Sequence, residues 1–513
     1  MTGTHPWEHE VKDGLPAEPA DQPTPGQRAG QSAGTARLTA RHWLPPVLLM
    51  LGMGLYGIGG RQPWEDEYAS WWAASLSWSD LGRLLSHVDI VLAPYYAAMH
   101  LWIGAFGDSP TAMRLPSVLA MATAAGLLVP LGRRLFDARV GLAAGLLFAV
   151  IPMTSRYAQE ARPYAFAVLA AVAATLLLYR AIDQPCLGRW TGYAALVTAM
   201  GLAHLVTLTV LAAHFVALLI ERSPGGRPRL LPWAASVAAG ILPVLPLIWF
   251  GHAQSQQIAW LEQTNMTLAA LPGQLFRSTP AGWTVIAIGL LGVLLVRART
   301  TVVLCWAALP PLVLYATRST LDLFLNRYLI FTLPAWALLA GAAVCVLIRK
   351  LPGTAPWREP LAAAAAALAL ALVTLGAFAA VRANPLPGEP DWQRAATWTM
   401  RQSRPGDGVA INGYREGVLA LSYQMWRNPA APHDVFAGRS AQSLGTFDPA
   451  TCQVPAVCAQ PYLRIWLFST APKGHSFDQM PASVRDLLAT HYRVKEAKEF
   501  ASLRVLLLIP RSA

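Results

Sequence analysis

Two groups of ionisable residues stand where apolar runs end. Glu65-Asp66-Glu67 follows the first run, and residues Tyr157–Tyr164, at the end of a later one, read YAQEARPY. A charge at a bilayer boundary is costly to bury and is a functional candidate by default. Adjacent carboxylates raise one another's proton affinity, which suits a general base or a metal site. Composition also allows a solvated loop there. However, Tyr68, Trp71, Trp72 and Trp78 follow at once, and such aromatics hold a segment against a membrane. In YAQEARPY, Glu160 and Arg162 lie two apart and do not share a helix face, while Pro163 ends or restarts the helix. Arg162 can bind an anion, and Glu160 a hydroxyl or a metal. Asp66 and Glu160 are the candidates for a divalent cation, Mg or Mn. The plainer reading of this pair is an arginine that snorkels to the surface beside its neighbour.

Further candidates lie between and beyond these groups. Asp89 precedes the segment VLAPYY and is either a helix cap or a second carboxylate for a metal or a sugar hydroxyl. Tyr95 and Tyr96 in that segment are candidates for substrate contact. Arg327-Tyr328 opens a late apolar run, and arginine is suited to bidentate phosphate contact. Arg114 is a third arginine of the same kind, and His204 lies at a break in a long apolar run. Trp260, Glu262 and Arg277 lie in a polar stretch that can close over a substrate.

The elements that position these residues are membrane helices. Of 513 residues, 54% are hydrophobic and 13% are charged, about half the charge expected of a soluble protein. Apolar runs long enough to span a bilayer recur up to residue 381. The fold class is therefore an all-α polytopic membrane protein of about eleven transmembrane helices, with a small C-terminal α/β domain. Residues 1–40 are expected to be a disordered cytoplasmic tail, 41–382 the membrane domain and 383–513 an extracytoplasmic domain. The net charge of +12 does not point to nucleic acid, because many basic residues sit in short loops between apolar runs. With the N-terminus inside, those loops fall inside. Both acidic groups, Arg327 and everything after residue 382 then face outside. This requires that Val91–Phe106 lies in the interface and does not cross.

In the tail, GVAIN (408–412), LRIWLFS (463–469) and LRVLLLI (503–509) read as buried strands, and Trp392–Gln402 and Ala482–His491 as helices. Cys452 and Cys458 are close together in this polar segment and are expected to form a disulfide if it is extracytoplasmic. Outward carboxylates, outward arginines and a groove at membrane level suggest a lipid-phosphate substrate. One economical chemistry is glycosyl transfer, in which a carboxylate deprotonates an acceptor hydroxyl and arginines or a cation stabilise the departing lipid phosphate.

The motifs WEDEYA, HVDIVLAPYY, FGDSPTAMRLPS, YAQEARPYA and NRYLIFTLPA resemble the GT-C glycosyltransferases. Within them the resemblance is to the family 39-type enzymes of actinobacteria, relatives of protein O-mannosyltransferases and the lipid A aminoarabinose transferase. It covers roughly residues 43–350. It implies inverting transfer of a sugar, mannose first, from a polyprenyl-phosphate donor in the lipid bilayer to a glycan or protein acceptor at the outer face of the cell membrane. It also implies Asp66 as catalytic base, Glu67 as its partner for substrate or metal, Glu160 as the later acidic position, and Arg327-Tyr328 for the lipid phosphate. Relatives carry Lys-Pro where this chain has Ala93-Pro94, so Arg114 or Arg162 is expected to replace the lysine. The rival reading is a lipid-linked glycan transporter or flippase. Such proteins usually place ionisable residues mid-bilayer and show inverted repeats, and neither is apparent here.

Overall fold

The computed structural model describes residues 40–221, 229–257, 266–297, 300–321, 323–353, 355 and 357–511. Trp260, Glu262 and the tail before residue 40 lie outside them. The chain opens with α1 (Ala40–Leu55), α2 (Glu65–Ser75), α3 (Trp78–His87) and α4 (Ala93–Phe106). Long apolar helices follow: α5 (Pro110–Leu135), α6 (Ala138–Ala149) with α7 (Pro152–Ala158), α8 (Tyr164–Asp183), α9 (Leu187–Ala203) and α10 (Val210–Ile220). Then come α11 (Leu230–Ile241) with α12 (Leu245–Ala253), α13 (Leu271–Phe276), α14 (Thr279–Val296), α15 (Thr301–Ala316), α16 (Leu333–Arg349), and α17 (Arg358–Val373) with α18 (Leu375–Val381). Among the described residues, five helices are long and apolar enough to cross a membrane, or seven if the two bent pairs each count as one.

The bent pairs have a local cause. Between α6 and α7 the axis turns by 69° at Val150-Ile151. Pro152 cannot donate to the preceding turn, which breaks the ladder. The Thr154 hydroxyl sits at the break, within hydrogen-bond distance of the Phe148 and Ile151 carbonyls. In an apolar bundle such groups must be met inside the protein. Elsewhere small residues bring helices close. A Cβ on Gly132 of α5 would stand 2.4 Å from the Gly141 Cα of α6, the small-residue contact that helix pairing in membranes favours.

The bundle has two unlike ends. At one, Arg134 holds Asp183 at 2.6 Å and Arg349 holds Asp137 at 2.6 Å and Glu359 at 2.5 Å, with Arg139 also on Glu359. At the other lie Asp66, Arg162 and Arg327. Helix α4 begins and ends at this second end. Before it, Asp89 accepts the Tyr96 hydroxyl, which in turn meets Arg162. After it, Asp108 accepts the Trp71 indole of α2. Both ends of α4 thus meet residues on the side of Asp66 and Arg162, and the two acidic groups share one end.

After residue 382 come α19 (Trp392–Gln402), α20 (Tyr414–Gln424) and α21 (Ala482–His491) around a five-stranded sheet of order β2-β1-β3-β5-β4. Strands β1 (Gly408–Asn412), β2 (His433–Asp434) and β3 (Ile465–Ser469) are parallel. Strands β4 (Tyr492–Phe500) and β5 (Leu503–Pro510) run antiparallel to their neighbours. β1 and β3 are buried at every residue, as covered parallel strands are. Cys452 and Cys458 are joined in a disulfide.

The packing does not follow the expected division at residue 382. One hydrophobic core lies among the membrane helices. A second joins Tyr68 and Trp71 of α2, Leu81 and Leu84 of α3 and Tyr96 of α4 to Trp392, Val418, Leu421 and Phe468. The loop helices between α1 and α5 thus share their core with the C-terminal domain.

Candidate active site

The three adjacent carboxylates open α2, where an acid meets the positive end of the helix dipole. Successive side chains on a helix point about 100° apart, so the knot divides. Glu65 is exposed, Asp66 is half-buried, and Glu67 is fully buried. Glu67 Oε1 accepts Arg114 Nε at 2.8 Å and the Ala161 amide at 2.9 Å, and Oε2 accepts Arg114 Nη2 at 2.7 Å. Oε2 also faces the Arg61 guanidinium at 3.6 Å. Burial pushes this carboxyl up, but Arg114, then Arg61, outweigh it and hold it at about 2. Arg114 gives its remaining donors to the carbonyls of Ile58, Arg61 and Gln62.

Both expectations for this pair need correction. Arg114 has every donor committed and none left for a phosphate. Glu67 is sealed from substrate and ties α2 to the YAQEARPY turn.

Asp66 Oδ2 lies 3.7 Å from Arg162 Nε and 3.7 Å from Arg327 Nη1. It is buried and accepts no hydrogen bond. Pro163 caps α8, so Arg162 stands on the turn that brings α8 to α2. Its Nη1 reaches the Ser70 hydroxyl and the Tyr96 hydroxyl, each at 3.4 Å. Tyr96 donates to Asp89 Oδ2 at 2.7 Å, so Asp89 reaches the site through Tyr96. Tyr95 is buried, its ring tilted against Phe166 at 6.3 Å, and its hydroxyl has no hydrogen-bond partner among the described residues. Arg327 enters from a 3-10 turn, Asn326–Thr332, ahead of α16. Tyr328 beside it packs on the His204 imidazole at 4.6 Å, and Tyr164 on the same ring at 5.6 Å.

Glu160 sits on the turn behind Asp66 and is buried. Its carboxylate lies 2.5 Å from Arg156 Nη1, four residues earlier. Burial, opposed by Arg156 and assisted by Glu67 and Asp66, pushes it up to about 7. No three His, Cys, Asp or Glu side chains gather as a metal cluster among the described residues. Asp66 and Glu160 each face guanidinium groups, so these residues do not fit a divalent cation.

The turn thus brings together Asp66, Glu160, Arg162, Arg327, Tyr328 and His204. Arg277 stands between α13 and α14, bordering an open cavity of about 340 Å³. Sequence reading missed Arg156, Arg61 and Trp64. Arg156 lies 5.3 Å from the Trp64 ring and Arg327 lies 5.6 Å from it. The i, i+4 spacing of Arg156 and Glu160 was the available signal.

Residues 72–250 match the family described as dolichyl-phosphate-mannose-protein mannosyltransferase. That stretch contains Asp89, Arg114, Glu160, Arg162 and His204; it begins after Asp66 and ends before Arg327. Comparison with characterised protein sequences finds no match. Among solved structures, ArnT from Cupriavidus metallidurans is similar at a TM-score of 0.54 and 14% identity, covering 91% of this chain and 97% of that one. The same protein bound to undecaprenyl phosphate matches equally, at 0.54. A mutant of the arabinofuranosyltransferase AftD from Mycobacteria matches at 0.51 and 16% identity, over 93% of this chain and 42% of that one. At identities this low the likeness speaks for architecture alone: the chain has the fold of ArnT over most of its length.

Proposed function

We propose that this chain is an integral-membrane inverting glycosyltransferase that moves a sugar from a polyprenyl-phosphate donor to an acceptor hydroxyl. The observation that carries this reading is the Asp66 carboxylate between two guanidinium groups at one end of the bundle. An acceptor O–H gives its proton to Asp66, and the oxygen attacks the anomeric carbon. The bond from that carbon to the phosphate oxygen breaks, its electron pair leaves with the lipid phosphate, and Arg162 and Arg327 neutralise the charge. Tyr328 and the His204 imidazole packed against it form the wall beside Arg327.

The lipid that ArnT binds supports a polyprenyl phosphate. The matched family's description favours mannose, and the AftD likeness makes a pentose the second choice. Eleven crossings follow if the shorter helices α1, α9, α10 and α15 also cross, beside the seven longer ones. The Arg-rich end then lies inside, and the site and C-terminal domain lie outside.

The test is transfer of radiolabelled sugar from polyprenyl-phosphate mannose, and then arabinose, in membranes carrying wild type or Asp66→Asn. Wild type should transfer one of them, and the variant should lose at least about a hundredfold in rate, as expected for a missing base. Unchanged transfer by Asp66→Asn would overturn the assignment.

A further inference from the structure

We propose that α20 of the C-terminal domain positions the helix that carries Asp66, acting through Tyr423 and Gln424 on Tyr68 and Trp71. The inference rests on the function proposed above. Tyr68 and Trp71 lie two and five residues after Asp66, so they point about 160° and 140° away from it around the helix axis. They form the back of α2, and its front faces Arg162 and Arg327.

That back face is held by the far end of the chain. Gln424 Nε2 donates to the Tyr68 hydroxyl at 2.9 Å, and Tyr68 is almost wholly buried. The Tyr423 ring meets Trp71 edge-on at 4.9 Å and Tyr68 at 5.8 Å. Asp108, on the turn after α4, joins the parts. Its carboxylate accepts the Trp71 indole at 2.9 Å and Arg427 at 3.0 Å, and its carbonyl accepts the Tyr423 hydroxyl at 3.0 Å. A short helix clamped on its back by directed bonds cannot tilt without moving its front. The front atom here is Asp66 Oδ2, placed at equal distance from two guanidinium groups. Tyr423 and Gln424 are therefore positioning residues: they touch no reacting atom and act through α2.

The test uses full-length protein in detergent or proteoliposomes, with Gln424→Leu, Tyr68→Phe and the double variant. Each single change removes the same bond, from opposite sides. Transfer kcat should fall about tenfold or more, as small displacements of a reacting group do. KM for the lipid donor should change less than twofold, and the double variant should be no slower than the worse single one. Amide hydrogen exchange should accelerate over residues 64–75, with the sheet and the membrane helices unchanged. Wild-type kcat and wild-type exchange over residues 64–75 in both single variants would overturn the proposal. Additive losses in the double variant would also overturn it. If Gln424→Leu unfolds the C-terminal domain, Tyr68→Phe decides, because it keeps the ring in the shared core and changes no residue of that domain. If wild type transfers no sugar, the functional reading fails, and the exchange result still decides whether α20 holds α2.

Discussion

Adjacent carboxylates in one helical turn have separate fates because the turn aims them apart. Glu67 is spent on Arg114, and Asp66 is left facing two arginines. Removing one member of the buried pair leaves the other uncompensated, at a cost of about 3–5 kcal/mol. Arg114→Leu should therefore lower the melting temperature sharply, as read by thermal unfolding in detergent. The double change Arg114→Leu with Glu67→Leu should cost less than the single ones added together. A surface-like loss below about 1 kcal/mol would contradict the pairing.

The carboxyls near the domain seam give a pH signature. Burial raises Glu160, Glu389 and Glu416 from the ordinary 4.5 to about 7. Glu160 faces Arg156, Glu67, Asp66 and Arg61; Glu389 faces Arg156, Arg61, Glu416 and Glu67; Glu416 faces Glu65 and Trp392. A raised group contributes stability that is whole below its unfolded value and is lost as pH rises through its folded value. Glu67 acts oppositely, losing its contribution only as pH falls from 4.5 toward 2. Thermal stability should thus decline between about pH 5 and about pH 8; a steady rise would show these carboxyls ionised in the folded protein. Asp66, Arg162 and Arg327 were legible as residue types at span ends. The commitment of Arg114 was not, since its partner lies 47 residues away in sequence.

Elements were legible where one pattern governs them. Apolar runs gave the membrane helices, and buried apolar runs gave β1, β3 and β5. Strand β4 was missed because it is an exposed edge reading YRVKEAKEF; edge strands carry charge to discourage further pairing, which erases the apolar signal. A polar group inside the bundle shows how elements are fastened. Thr175 spends its hydroxyl proton on the Ala171 carbonyl, so it accepts from His214 Nε2. His214 Nδ1 then accepts the Tyr193 proton, and Tyr193 accepts the Trp233 indole. This joins α8, α9, α10 and α11 through a neutral imidazole. His214→Leu should cost about 1–3 kcal/mol by leaving buried polar groups unmet. Transfer per folded molecule should be unchanged, because none of these groups reaches Asp66. Equal stability of the variant would remove the network from the account.

At the scale of the whole molecule, sequence separated a membrane part from a C-terminal domain by composition, whereas residues 40–513 pack as one compact unit. It could not show that the loop helices α2, α3 and α4 belong by packing to the second part. Nothing local encodes a bond between Tyr68 and Gln424, which are 356 residues apart. This wiring bears on how the protein is made. A ribosome delivers α2 early and α20 among the last pieces. While the chain is being inserted, the helix bearing Asp66 has its two tyrosine and tryptophan anchors bare, awaiting a partner not yet synthesised. If α20 holds α2 as proposed, a product that ends before α20 should enter the membrane yet transfer sugar at least about tenfold more slowly than the full chain.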